Sequence, residues 1–192
     1  MKTTKFFIVL LAFVGLALVG CSDEQQSPVT PIDQASLEKV IIINFTSNHH
    51  PIPPYIIDPG EVKLVGGNWI LKDVGVIEQI TSSDPLGGGT MIHYLSAKMD
   101  AVTGEGPVHG SFTITPDVNT EGGVWEGIYT GYRSKMPGSD TLFTLPLNVV
   151  GHGRGGTIDG WQFFTDDVIT AWGTPPVGWY GVGEGFIKSH EN

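Results

Sequence analysis

Short segments in which apolar and polar residues alternate recur along this chain, separated by clusters of Gly, Pro and Asp. Alternation with a period of two places successive side chains on opposite faces of a β-strand. The connections at residues 116–123 and 134–140 have turn-forming composition and suit antiparallel neighbours. The sequence therefore predicts an all-β fold, a small antiparallel meander β-barrel of about eight strands. The predicted strands are residues 40–46, 67–72, 74–81, 90–98, 108–115, 124–132, 141–150, 157–164 and 182–188.

Two segments do not follow the strand pattern. Residues 48–60 (NHHPIPPYIIDPG) contain too many prolines for a central strand, so we expect a loop or an edge strand. Residues 165–180 contain two of the five tryptophans, and we expect a closing loop that folds over one end of the barrel.

His49 and His50 are adjacent, so they would bind one metal ion together only in an irregular loop, with Asp58 or His93 as a further ligand. A surface loop without metal is the favoured interpretation, and we predict neither a metal nor a cofactor. The run GHGRGG at residues 151–156 lacks the Lys-Ser/Thr pair of a phosphate-binding loop, and a strand with alternating glycines explains it better.

Polar residues precede glycines in His109-Gly110, Glu126-Gly127, Asp159-Gly160 and Glu184-Gly185, with an aromatic residue close behind. Small residues beside large rings allow a narrow barrel to fill its interior. If the glycine face is the interior, the polar residues are exposed, and we favour this arrangement. If they face inward instead, His109, Glu126 and Asp159 are candidates for acid–base catalysis. The aromatic candidates for lining a ligand cavity are Phe112, Trp125, Tyr129, Trp161 and Phe164.

Three motifs in this region carry a family resemblance. GSFTI at residues 110–114, WEGIYTG at 125–131 and VGHGRGGTIDG at 150–160 follow one another in order. Residues 90–188 thereby resemble small bacterial barrels similar to the allene oxide cyclase and dirigent group. The resemblance implies an eight-stranded antiparallel barrel with a central apolar cavity. No catalytic residue of that group is carried over to this chain.

Composition narrows the possible functions. The 27 glycines and 13 prolines leave little room for helix. The 20 acidic residues against 10 basic ones give a net charge of −10, which argues against nucleic acid as a partner, because that affinity comes from neutralising phosphates with Lys and Arg.

The N-terminus indicates where the protein resides. Lys2 and Lys5 precede an apolar run at residues 6–20, as in a secretory signal peptide. The run ends in LVGC at residues 18–21, which resembles the lipobox of bacterial lipoproteins, and Cys21 is the only cysteine. The resemblance implies a lipid attached to Cys21 and the membrane as partner. We therefore expect a signal peptide at 1–20, a lipid-anchored tether at 21–35 and a β-barrel domain at 36–192.

These features together predict a lipid-anchored protein of the bacterial outer membrane, on its periplasmic face or at the cell surface. We expect the barrel to bind a small, largely apolar ligand, and we favour a binding protein over an enzyme. The alternatives are a structural or protein-interaction lipoprotein without ligand, whose protein partner is unknown, and a cyclase-like barrel enzyme.

Overall fold

The computed structural model describes residues 40–173 and 177–190, and the predicted signal peptide, Cys21 and the tether lie outside them. The part described consists of β-strands joined by turns and two short 3-10 segments, Pro85–Gly87 and Gly156–Ile158. Among these residues there is no helix long and apolar enough to cross a bilayer. The strands are β1 Val40–Asp58, β2 Glu61–Val65, β3 Asn68–Ser82, β4 Gly89–Asp100, β5 Gly106–Pro116, β6 Val124–Lys135, β7 Leu142–Arg154, β8 Gln162–Trp172 and β9 Gly178–His190.

The strands form one closed antiparallel sheet. From β3 to β9 each strand pairs with the next along the chain, and β1 pairs with both β9 and β3, which closes the barrel. The predicted all-β antiparallel barrel of about eight strands is thus confirmed. The short strand β2 pairs only with β3 and extends the sheet outside the eight-stranded ring, which the sequence analysis did not predict.

Strand β1 is longer than predicted because its prolines lie where one side of the strand is free. The described pairing with β9 ends at His49, whereas pairing with β3 continues to Asp58. Between Pro51 and Ile56 four residues of β1 stand against one residue of β3, which forms a large irregular bulge. Proline has no N–H to donate, so it is tolerated at such an edge. The expectation of an edge was correct for this segment, and the expectation of a strand ending near residue 46 was wrong.

The prediction for residues 157–180 was also wrong. The first part is a 3-10 turn at Gly156–Ile158, and β8 begins only at Gln162. The supposed closing loop consists mainly of β8 and the start of β9, which pair with each other from Trp172 and Gly178 onward. The glycines and tryptophans of this segment belong to the barrel wall and not to a loop, because a narrow barrel combines small and large residues in its strands.

The glycine and aromatic face points into the barrel, as predicted. A Cβ at Gly110 would collide with the ring of Tyr129, and one at Gly127 would lie 2.7 Å from Phe112. The absence of these side chains therefore makes room for rings that fill the interior. The core also contains Phe45, Met99, Ile114, Trp125, Ile158, Phe163 and Ile187.

The two ends of the barrel are closed differently. At one end Trp125, fully buried, packs on Phe163 and donates a hydrogen bond of 2.8 Å from Nε1 to the Leu86 carbonyl. At the other end Arg133, also buried, lies 3.5 Å above the ring centroid of Phe143. Its guanidinium donates to the Gly104 carbonyl at 2.6 Å and to the Gly173 carbonyl, so it ties two loops together. Both ends are thus packed, and the wall of the barrel surrounds the space between them.

Replacing Trp125 with Ala tests whether the packed end of the barrel around Trp125 and Phe163 stabilises the fold. We expect a loss of about 3–5 kcal/mol in the free energy of unfolding, because a fully buried ring and its hydrogen bond are removed. Ile128→Ala on the same strand is the control, since Ile128 is 62% exposed on the outer face and should change stability by about 0.5 kcal/mol or less. Urea denaturation followed by circular dichroism measures both. Equal effects of the two substitutions would contradict a structural role for Trp125.

Candidate functional site

A cavity of about 130 Å³ lies inside the barrel. Most of its wall is apolar and buried, with Val76, Leu145, Val149 and Ile169 among the lining side chains. Ile56, at the end of the β1 bulge, is the one exposed side chain among the described residues that line the cavity. The bulge therefore marks the point at which the cavity approaches solvent.

Part of the cavity wall is polar. Its residues come from six different strands, and each occupies an inward position in the alternation of its own strand. Successive inward positions in β3, for example, are Val74, Val76, Glu78 and Ile80. The register of the closed sheet then brings the six side chains together. They are His49 on β1, Glu78 on β3, His93 on β4, Tyr129 on β6, Asp167 on β8 and Trp179 on β9.

His49 lies between two buried carboxylates. Its Nδ1 is 3.2 Å from Glu78 Oε1, and its Nε2 is 3.5 Å from Asp167 Oδ2. The remaining carboxylate oxygens also have partners: Trp179 Nε1 donates to Glu78 Oε2 at 2.9 Å, and Thr165 Oγ1 donates to Asp167 Oδ1 at 2.8 Å. This arrangement binds β1, β3, β8 and β9 to one another across the cavity.

Pairing decides the charges of this group. Burial lowers the pKa of His49, but the hydrogen bonds and charges of Asp167 and Glu78 outweigh it and raise that pKa to about 10. Burial raises the pKa of Glu78, but the hydrogen bond and charge of His49 outweigh it and lower that pKa to about 2. At neutral pH the wall therefore carries a Glu78 carboxylate beside a His49 imidazolium.

His93 and Tyr129 form a second, neutral pair. His93 Nδ1 is 2.8 Å from the Tyr129 hydroxyl, and the rings meet edge to face. Burial lowers the pKa of His93 and raises that of Tyr129, so both are uncharged near pH 7. His93 Nε2 is buried and, among the described residues, has no hydrogen-bond partner; Glu78 Oε1 lies 4.0 Å away.

Trp179 lines the cavity next to the β1 bulge. Its ring contacts Tyr55 edge to face at 5.6 Å, and the Tyr55 hydroxyl donates to the Val177 carbonyl at 3.3 Å. The β1 bulge and the start of β9 are thus joined beside the opening, and the same tryptophan reaches inward to Glu78.

The aromatic residues predicted from the sequence are distributed over several environments. Phe112 and Tyr129 line the cavity. Trp125 belongs to the packed end of the barrel, and Trp161 is half-buried against the core. Phe164 lies on the outer face, stacked on Phe186 at 4.9 Å, because the turn at residues 156–161 shifts the alternation so that Phe163 points inward.

The three predicted acid–base residues all lie outside the barrel. His109, Glu126 and Asp159 are exposed, as expected if the glycine face is the interior, and Glu126 lies 3.7 Å from Arg154. His49 and His50 point to opposite faces of β1, and the described residues contain no cluster of three metal-ligating side chains. The ionisable groups of the cavity are therefore different residues from the catalytic candidates.

Sequence reasoning missed the polar wall as a group. It considered His49 and His93 only as metal ligands, and it did not single out Glu78 or Asp167. A usable signal was present, since each is one polar residue on the otherwise mostly apolar face of its strand, as Glu78 is between Val76 and Ile80. Comparisons with protein-family models, curated proteins and solved structures find no match for this chain.

The raised pKa of His49 predicts a pH dependence of stability. Its folded value of about 10 exceeds the ordinary value of 6.5, so the folded state binds the proton more tightly. The stabilisation is complete below about pH 6.5 and is lost as the pH rises through 10. We expect the free energy of unfolding to fall between pH 7 and pH 10, as measured by urea denaturation.

His49→Gln should remove much of this slope and cost about 3–5 kcal/mol at pH 7, because two buried carboxylates lose their counter-charge. His50→Gln, one residue further on and exposed, is the matched control and should keep the wild-type profile. Identical pH profiles for wild type and His49→Gln would contradict a charged His49.

Proposed function

We propose that the barrel binds a small, largely apolar molecule in its cavity. The observation that carries the proposal is an apolar cavity with one polar wall between two packed ends. Ligand sites in proteins commonly combine apolar walls with a few polar groups that fix orientation. Its volume of about 130 Å³ compares with the roughly 150 Å³ of an engineered cavity that takes up benzene. The ligand we propose is therefore about the size of a single ring.

An acid–base enzyme of the cyclase-like type is the second candidate. Ionisable groups with shifted pKa values inside a cavity favour it. However, the low pKa of Glu78 makes this carboxylate a weak base, and its oxygens already accept hydrogen bonds from His49 and Trp179. Binding is for this reason the preferred proposal. A purely structural module is less favoured, because such a module has no need of an open cavity.

We also propose that Cys21 carries a lipid and holds the barrel at the bacterial outer membrane. The support is the lipobox-like LVGC after a basic and apolar N-terminus, followed by a polar and Pro-containing segment. Two or three acyl chains suffice for stable anchoring. The side of the membrane on which the barrel lies is left open between the periplasm and the cell surface.

Blocking the cavity tests the binding proposal. Full-length protein purified from envelope extract should show, in native mass spectrometry, a stoichiometric mass increment that disappears on denaturation. Val149→Phe places a ring in the cavity opposite Tyr129, so the increment should be lost while the fold persists. Val150→Phe, the same change on the outer face where Val150 is 47% exposed, should retain it. A wild-type protein without any increment, and without affinity for ring-sized compounds, would refute the proposal.

Replacing Cys21 with Ser tests the anchor. The variant should lose metabolic labelling with palmitate and move from the membrane pellet to the soluble fraction or remain unprocessed, because serine cannot form the thioether. Ser22→Ala, which keeps the cysteine, is the control and should remain labelled. Palmitate labelling of the Cys21→Ser protein would contradict the proposal, because it would show that the lipid is not attached at Cys21.

A further inference from the structure

The hydrogen-bonding capacity of the polar wall is not used evenly. The carboxylates of Glu78 and Asp167 have accepted bonds or contacts from His49, Trp179 and Thr165, as described above. Three of their four oxygens therefore accept hydrogen bonds, and the fourth, Asp167 Oδ2, lies 3.5 Å from His49 Nε2. A ligand that needs a strong acceptor, such as an ammonium, would have to break these buried contacts and leave their donors without partners.

The His93–Tyr129 pair, in contrast, has a hydrogen to spare. A neutral imidazole carries one N–H and a phenol carries one O–H, so the pair holds two protons. The contact of 2.8 Å between Nδ1 and the hydroxyl uses one of them, whichever way it runs. If the hydroxyl donates to Nδ1, the remaining donor is Nε2–H; if Nδ1–H donates, the remaining donor is the hydroxyl.

The spare donor lies at the cavity. Both His93 and Tyr129 line it, and the buried Nε2 of His93 has no hydrogen-bond partner among the described residues. A buried donor without an acceptor is destabilising, and a ligand oxygen that accepts this hydrogen bond removes that cost. The ligand is thus expected to have an acceptor atom as well as an apolar body.

The charge of the wall narrows the choice further. Two acidic side chains, Glu78 and Asp167, lie at the cavity on either side of the single imidazole of His49. An anionic ligand would bring a further negative charge beside these acidic side chains in a poorly solvated space. Carboxylates such as short fatty acids are therefore disfavoured.

We infer that the cavity, if it binds ligand as proposed above, takes a neutral ring-sized molecule with a hydrogen-bond-accepting oxygen, such as a ketone, held by the spare donor of His93 and Tyr129. The ligand oxygen accepts a hydrogen bond from the neutral His93–Tyr129 pair. The hydrocarbon part of the ligand lies against the apolar side chains that line the cavity. The charged half, around His49, remains unchanged on binding.

Three matched probes test the inference on the full-length protein: cyclohexanone, its hydrocarbon isostere methylenecyclohexane, and cyclohexanecarboxylate. Equilibrium dialysis at pH 7 measures their affinities. The variant Val149→Phe, whose cavity is filled, is the control for probe that is taken up by detergent or lipid and not by the cavity. The double variant His93→Leu/Tyr129→Phe removes both possible donors and should lower the affinity ratio of ketone to alkene about tenfold. An unchanged ratio, or tighter binding of the carboxylate than of the ketone, would overturn the inference.

A measurement on the wild-type protein avoids the risk that the double variant does not fold. The carbonyl stretching band of bound cyclohexanone in infrared difference spectra should lie at a lower frequency than in hexane, because a hydrogen bond weakens the C=O bond. A band at the hexane position would overturn the inference, although the binding proposal would stand. If none of the probes binds specifically to wild type, the ring-sized binding site itself is refuted, so the two failures are distinguishable.

Discussion

The contact of His49 with Glu78 and Asp167 is the interaction on which the interior of this barrel depends. Each of the three groups would be costly to bury alone, and each becomes acceptable because the others are present. The contact joins β1 to β3, where the sheet closes, and to β8 on another part of the ring. The same contact therefore helps to close the barrel and balances the buried charges of the cavity.

The same polar wall explains why the interior is not filled completely. At the ends, large side chains fill the interior, and Trp125 and Arg133 each donate a hydrogen bond to a neighbouring loop. In the middle, inward positions hold charged or hydrogen-bonding side chains that apolar neighbours cannot satisfy. Glycines add space where rings approach the wall, as at Gly110 beside Tyr129. A cavity remains at the level where the polar residues meet, and the bulge of β1 brings that level to the surface.

The alternation of residues was sufficient to predict β5 and β6, their inward faces and the exposure of His109 and Glu126, because each strand reports its own two faces. It failed where the signal is not local. Residues 165–180 were assigned to a closing loop because the segment is long and contains two tryptophans, whereas its strand character comes from pairing. Glu78 and His49 are 29 residues apart, and only the pairing register between β1 and β3, where the barrel closes, makes them neighbours. The site depends on that register, which no single strand encodes.

The cavity wall consists of a charged part around His49 and a neutral part, the His93–Tyr129 pair, in which one donor is not used. Catalysis by proton transfer would require a group that both holds and releases a proton near neutral pH. The His49–Glu78 pair does not meet this requirement, because its mutual stabilisation moves both pKa values far from 7. His93 is the one neutral base in the wall, and burial keeps its pKa low. An acid–base mechanism would thus rest on His93 and Tyr129 alone, the same pair that offers a donor to a ligand oxygen. Polarisation of that oxygen is consequently the step that binding and any catalysis in this cavity would share.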